Sequence, residues 1–233
     1  MVAEPGADGA TRINDLLWSP SGDWITVSFD GRARLLDASQ GYTWTNVTFP
    51  QLRRAQWSRA RDSERLLWVG RAEAGHNGPM HVYDVQDRSS TSLPAAAHAA
   101  WLPDGSTVLY SRYAEPPGSG MELLEVPAAG GQPSALPSLS VSGRGLNDLQ
   151  FSPDGKHLAL VTSGGQMRIL DWRTGETEVW HGSEAEPFTA VRWGEPSSSY
   201  TAWLPRLDEQ GLVLYTEFVT DHVQGGRRLM VLD

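Results

Sequence analysis

The 233-residue chain contains no cysteine, which excludes disulfides, thiolate metal sites and a cysteine nucleophile. No apolar run approaches the roughly 18 residues that would suggest a membrane span. The first residues, MVAEPGADGATRIND, lack the charged start and apolar centre of a secretory signal. Positive charge is also in the minority, with 19 Lys and Arg against 28 Asp and Glu, a formal net charge of -9 and a pI near 5.1. Nucleic acids and anionic membranes recruit basic surface, so neither is an expected partner. His76, His81, His98, His157, His181 and His222 form no pair at ligand spacing beside a carboxylate. No metal or other cofactor is therefore expected. A Gly-x-Ser-x-Gly elbow, a phosphate loop and a dinucleotide fingerprint are all missing, and no catalytic residue is assigned. These absences describe a soluble chain whose compartment stays open: cytoplasmic, or periplasmic if the chain is a mature or partial form.

Turn formers and large rings, by contrast, are plentiful: Gly 24, Pro 15 and Trp 10. They recur in order. In Leu149 to Asp171, LQFSPDGKHLALVTSGGQMRILD, two apolar strands flank a Ser-Pro-Asp-Gly turn, and a third strand ends on an acid. A short fourth strand follows around Glu178 to Trp180. The same pattern runs from Leu16 to Asp37, and again from Ala99 to Tyr113 with MELLEVP after it. Looser copies begin at Ala55 and at Thr201. Aligned on the aromatic that closes each first strand, the copies sit at Trp18, Trp57, Trp101, Phe151 and Trp203, in steps of about 39, 44, 50 and 52 residues. FTAVRW, ending at Trp193, competes for the fifth place, but TAWLP around Trp203 matches AAWLP more closely and is preferred.

Four short strands every 40 to 50 residues describe a propeller blade. The expected fold is an all-β propeller of about five four-stranded blades, complete or part of a larger ring, with the five aromatics packed between blades. Residues 13–233 form a single domain of five repeats in this reading. Residues 1–12 form a flexible arm that can supply a closing strand. A ring closed in this way predicts a monomer.

The motifs FSPDGKHLAL, WSPSG and WLPDG, with a hydrophobic-Asp pair ending the third strand, resemble the WD40-like PD40 repeats of TolB-type bacterial propellers and of prolyl-oligopeptidase propeller domains. The resemblance covers the chain from about Arg12 and implies a scaffold more than a chemistry. Asp171-Trp172 looks like the WD dipeptide, but Asp37-Ala38, Asp84-Val85 and Glu125-Val126 break the pattern.

Two sets of residues are candidates for function. Asp15 and Asp148 precede the first strands of copies one and four, at the mouth expected for a central channel. They read either as paired carboxylates for glycan chemistry or as turn-capping Asn-Asp steps. The loops between second and third strands are long in copies two, three and five, where they carry Arg71, His76, Arg112, Tyr113, Glu115, Asp221 and His222. Long irregular loops on a rigid scaffold are where binding concentrates. An arginine run, Arg53, Arg54, Arg59, Arg61 and Arg65, reads as a solvated turn. The leading expectation is a non-enzymatic scaffold that binds a protein or peptide through its long-loop face. The alternatives are a glycan-binding or glycoside-hydrolase-like propeller and the non-catalytic propeller of a longer peptidase or sensor.

Overall fold

The computed structural model describes residues 13–232 except 30, 59, 61–62, 73–75, 115–119, 137–144, 153–154, 173, 182–187, 194–212 and 220–225. The expected arm at residues 1–12, the turn residues Pro153 and Asp154, and Trp203 lie outside the described residues.

Among the described residues, nineteen strands form five antiparallel sheets in chain order. Blade 1 is β1 Ile13–Trp18, β2 Trp24–Phe29, β3 Arg32–Asp37 and β4 Thr43–Phe49. Blade 2 is β5 Leu52–Trp57, β6 Arg65–Gly70, β7 Gly78–Asp84 and β8 Ser89–Ala96. Blade 3 is β9 His98–Trp101, β10 Thr107–Tyr113, β11 Met121–Pro127 and the short β12 Ser134–Ala135. Blade 4 is β13 Leu146–Phe151, β14 His157–Thr162, β15 Gln166–Asp171 and β16 Thr177–His181. Blade 5 has three strands among the described residues, β17 Phe188–Trp193, β18 Val213–Val219 and β19 Gly226–Leu232. No helix occurs among the described residues, so none is long and apolar enough to cross a membrane.

Alternation along the strands gives blades 1 to 4 apolar faces, and these consecutive blades bury them against each other. One cluster joins Ala33, Leu35 and Phe49 of blade 1 to Trp57, Leu66, Trp68 and Tyr83 of blade 2. A second joins Leu67, Val69, Met80 and Val82 to Trp101, Val108 and Tyr110 of blade 3. A third joins Ala100, Leu109 and Leu123 to Leu149, Phe151, Leu158 and Leu160 of blade 4. The inner-strand aromatics are the wedges of this stack. The Trp57 indole N–H donates to the Leu17 carbonyl at 3.1 Å, and that of Trp101 to the Gln56 carbonyl at 3.0 Å. Each ring therefore both fills the gap between blades and fixes its register with a bond to the preceding inner strand.

Two expectations are corrected. The fifth first-strand aromatic is Trp193, because β17 ends there and pairs directly with β18, Trp193 opposite Val213. Trp18 does not pack between blades, since it is 53% exposed whereas Trp57, Trp101 and Phe151 are buried.

In blades 1, 2 and 4 the acid that ends the third strand caps the following turn. Asp37 Oδ1 accepts from the Gln40 amide and the Ser39 hydroxyl, Asp84 Oδ1 from the amides of Gln86 and Asp87, and Asp171 Oδ1 from the Thr174 amide. Glu125, one methylene longer, instead accepts from the Ser134 hydroxyl on β12.

Replacing Trp101 by Ala removes both its buried ring and its bond to Gln56. Urea unfolding should show a loss of about 3–5 kcal/mol, with Trp101→Phe recovering most of it.

Candidate functional site at the channel mouth

Antiparallel pairing puts the start of each inner strand beside the end of the second strand: Leu52 opposite Gly70, His98 opposite Ser111, Leu146 opposite Thr162. The loops between second and third strands thus rise from the end of the blade where the inner strands begin. Inner-strand starts and the loops between second and third strands therefore share one face.

Counting three residues back from each closing aromatic gives Asp15, Arg54, His98, Asp148 and Ala190, equivalent positions on five successive inner strands. Register shifts between Ile13 and Asp15, Leu52 and Arg54, Leu146 and Asp148, and Phe188 and Ala190 mark a bulge at this level in four blades. A bulge re-aims the side chains next to it. Here the result is an ion pair across the ring, with the Arg54 guanidinium of blade 2 donating to the Asp148 carboxylate of blade 4, on the far side of blade 3. The Asp148 side chain is only 2% exposed and also accepts from the Leu149 amide at 2.9 Å. A buried carboxylate needs such partners to stay charged.

His98 of blade 3 sits between these two. Burial pushes its imidazole down to about 4, and the neighbouring Arg53 and Arg54 push the same way, against the opposing pull of Asp148 and a hydrogen bond to the Leu146 backbone. At neutral pH the ring is uncharged. Beside it lies the Ser111 hydroxyl, which is buried and has no hydrogen-bond partner among the described residues. Asp15, the other carboxylate singled out from the sequence, is exposed and accepts from the Leu16 amide at 2.9 Å. The two acids therefore sit in opposite settings, one free at the surface and one held in an ion pair.

The loop residues form the rim. The Asn77 side chain clamps the Tyr113 backbone, its Oδ1 accepting from the Tyr113 amide at 2.9 Å and its Nδ2 donating to the Tyr113 carbonyl at 3.3 Å. His76 then lies against the Tyr113 ring, with centroids 4.6 Å apart. The Tyr113 hydroxyl reaches Gly145 just before β13, where φ is 147° and a Cβ would lie 2.6 Å from that oxygen. Only glycine suits both that conformation and that contact. Arg71 is exposed, with its amide bonded to the Gln51 carbonyl at 2.6 Å and its guanidinium against Gly31. Arg112 is paired with Glu122 at 2.8 Å. Glu115, Asp221 and His222 lie outside the described residues.

The arginine run is divided between the two ends of blade 2. Arg53 and Arg54 are at the mouth and Arg65 pairs with Asp84 at 3.0 Å at the other end, while Arg59 and Arg61 lie outside the described residues. Arg53 and Arg71 are exposed and carry no ion pair among the described residues. A separate groove between blades 1 and 2, lined by Trp24, Trp44, Tyr83 and Arg88, shares no residue with the mouth.

A family model described as the WD domain, G-beta repeat, matches residues 5–37. Among solved structures, the chain is similar to a candidate TolB from Agrobacterium tumefaciens at 14% identity and a TM-score of 0.61, covering 95% of this chain and 77% of that one. It is also similar to the β-propeller domain of Myceliophteria thermophila Cps50 (Swd1), at 14% identity and a TM-score of 0.59, covering 95% and 74%. A third likeness, to Kuenenia stuttgartiensis hydrazine synthase, has 17% identity and a TM-score of 0.55, covering 100% and 70%. No curated protein sequence matches the chain. The chain folds as an all-β propeller similar to WD40 and TolB propellers. At these identities the structural likeness concerns the fold alone.

His98 ties the mouth to pH. Unfolded, its imidazole titrates near 6.5; folded, near 4. Between those values the unfolded chain binds a proton that the folded chain refuses, so this contribution is complete above about pH 6.5 and is lost as pH falls toward 4. The loss should approach about 3 kcal/mol. Urea unfolding at pH 7 and pH 4.5 should show a smaller difference for His98→Gln than for the unmodified protein.

Proposed function

We propose that this propeller is a non-enzymatic scaffold whose long-loop face binds a protein or peptide partner, and that the partner presents acidic groups. The observation that carries the reading is the placement of exposed Arg53 and Arg71, without an ion pair among the described residues, on the same face as the His76–Tyr113 ring pair, on a chain whose net charge is -9. Arginine and aromatic rings beside a clamped backbone resemble the anchors that dominate binding energy at interfaces. Local positive charge on an acidic protein also favours acidic partners and discourages random association. WD40 propellers as a class generally mediate protein interactions, which supports the same reading.

A glycan-active reading built on Asp15 and Asp148 receives less support, because Asp148 is committed to Arg54. Glycoside hydrolysis needs two carboxyl groups opposed across one bond, one of them able to carry a proton.

Screening a displayed peptide library against the purified chain should enrich sequences rich in Asp and Glu. Arg53→Glu combined with Arg71→Glu should weaken those peptides by about tenfold or more while the melting temperature is unchanged. Equal binding by the double variant would remove this face from consideration.

A further inference from the structure

The groove between blades 1 and 2 holds a cavity of about 350 Å³, at the lower end of the range for small-molecule sites. Its rings are Trp24 and Trp44 of blade 1 and Tyr83 of blade 2, and its polar ends are Asp37, Asn46 and Arg88. The wall on blade 1 is held in shape. Pairing of Arg34 with Thr48 and of Leu36 with Trp44 makes β4 bulge, so that Thr45 to Val47 face Leu35 alone. The Thr45 hydroxyl donates to the Leu35 carbonyl at 3.0 Å and accepts from the Val47 amide at 3.2 Å, and Arg34 Nη2 donates to the Thr45 carbonyl at 3.2 Å. The same guanidinium lies 4.8 Å from the Trp44 ring centroid and steadies that ring.

Hydrogen-bonding capacity is left over along these walls. Trp57 and Trp101 use their indole N–H groups for bonds between blades. Those of Trp24 and Trp44, and the Tyr83 hydroxyl, have no hydrogen-bond partner among the described residues. Asp37 holds its turn through Oδ1 alone, and its Oδ2 accepts no bond among the described residues. Neither Asp37 nor Arg88 belongs to an ion pair among them.

A second observation is independent of the cavity. The fourth residue after the acid that ends the third strand has a positive φ in blades 1, 2 and 4: Gly41 at 73°, Arg88 at 50° and Gly175 at 75°. Glycine enters that region freely, whereas a long side chain does so under strain. Blade 2 therefore carries an arginine at a turn position suited to glycine, and that arginine lines the groove. Strain present in one repeat and absent from its equivalents points to a side chain held for use.

The chemistry of the lining selects the ligand. A carboxylate and a guanidinium in one small cavity disfavour a net charge of either sign, since each repels what the other attracts. An uncharged ring of hydroxyls can donate to Asp37, accept from Arg88 and Asn46, and lay its C–H face on an indole. We propose that the groove between blades 1 and 2 is a binding site for a neutral saccharide, with Trp24 and Trp44 as the stacking surfaces and Asp37, Asn46 and Arg88 as the hydroxyl partners. The site is separate from Asp15 and Asp148, and it calls for recognition without bond cleavage. It stands independently of any peptide bound at the long-loop face.

The full chain, carrying a tag, should be retained on an array of neutral and uronic-acid oligosaccharides by neutral members. The best-retained neutral oligosaccharide is then titrated against the chain and followed by tryptophan fluorescence. Arg88→Gly should weaken it by about tenfold, with a melting temperature no lower than that of the unmodified protein, because glycine suits the turn. Asn46→Ala, at an exposed position, should weaken it by about fivefold and provides a second reading should the first variant misfold. Retention of no neutral oligosaccharide would overturn the proposal, and so would affinities that both folded variants leave unchanged. Retention confined to uronic-acid members, or acidic peptides released by Arg88→Gly in place of sugars, would overturn it in favour of an anion held by Arg88.

Discussion

A β-sheet with two apolar faces cannot stand alone in water, and that constraint organises this protein. Each blade has to be covered on both sides, and the nearest cover is the next repeat of the same chain. At roughly 25 cal/mol per Å² of apolar surface removed from water, a ring the size of Trp101 dominates its local interface, and the hydrogen bond from its indole to Gln56 allows one sliding position. Stability is therefore built mainly between blades, repeat by repeat, as in other quasi-one-dimensional folds.

Stacking the blades this way brings five inner strands together at one end, where side chains from different blades face each other. Apolar residues would close that end and leave nothing to recognise a partner. Arg54, His98 and Asp148 occupy it instead, and they are compatible only as a set. Asp148 keeps its charge because Arg54 reaches it, and His98 stays neutral because it is buried beside two arginines. Asp15 and Asp148 stand against Arg53 and Arg54 at this end, so charge is balanced locally by pairing rather than by an excess of one sign.

Much of the architecture was legible in the sequence because the repeat is a local pattern. Aromatic, turn and closing acid are within about twenty residues of one another, and each has a local physical role, down to Asp37, Asp84 and Asp171 bonding the amides of the turns they precede. The errors arose where local pattern and pairing partner disagree. TAWLP around Trp203 copies the turn chemistry of AAWLP, but FTAVRW finds the hydrogen-bonding partner in β18, and a ladder outweighs a turn preference. The arginine run looked like one solvated feature because its members are adjacent in sequence. Folding sends Arg54 to a partner 94 residues away and Arg65 to the other end of the blade. Which acid is buried was also unreadable, since Asn14-Asp15 and Asn147-Asp148 are the same two residues, and what separates them is Arg54, which reaches Asp148 from 94 residues away.

That last pair shows how the repeat generates difference. Blades 1 and 4 present nearly the same residues at the start of the inner strand, with the same bulge and the same bond from the following amide. In blade 4 the carboxylate is enclosed by blades 2 and 3 and becomes part of the structure. In blade 1 it stays in solvent beside Leu16 and Trp18. Chemical identity is therefore set less by the residue than by its place in the stack. A mouth built from repeats can thus hold a structural acid, a neutral imidazole and an ion-paired arginine at equivalent positions while their blades keep the common fold.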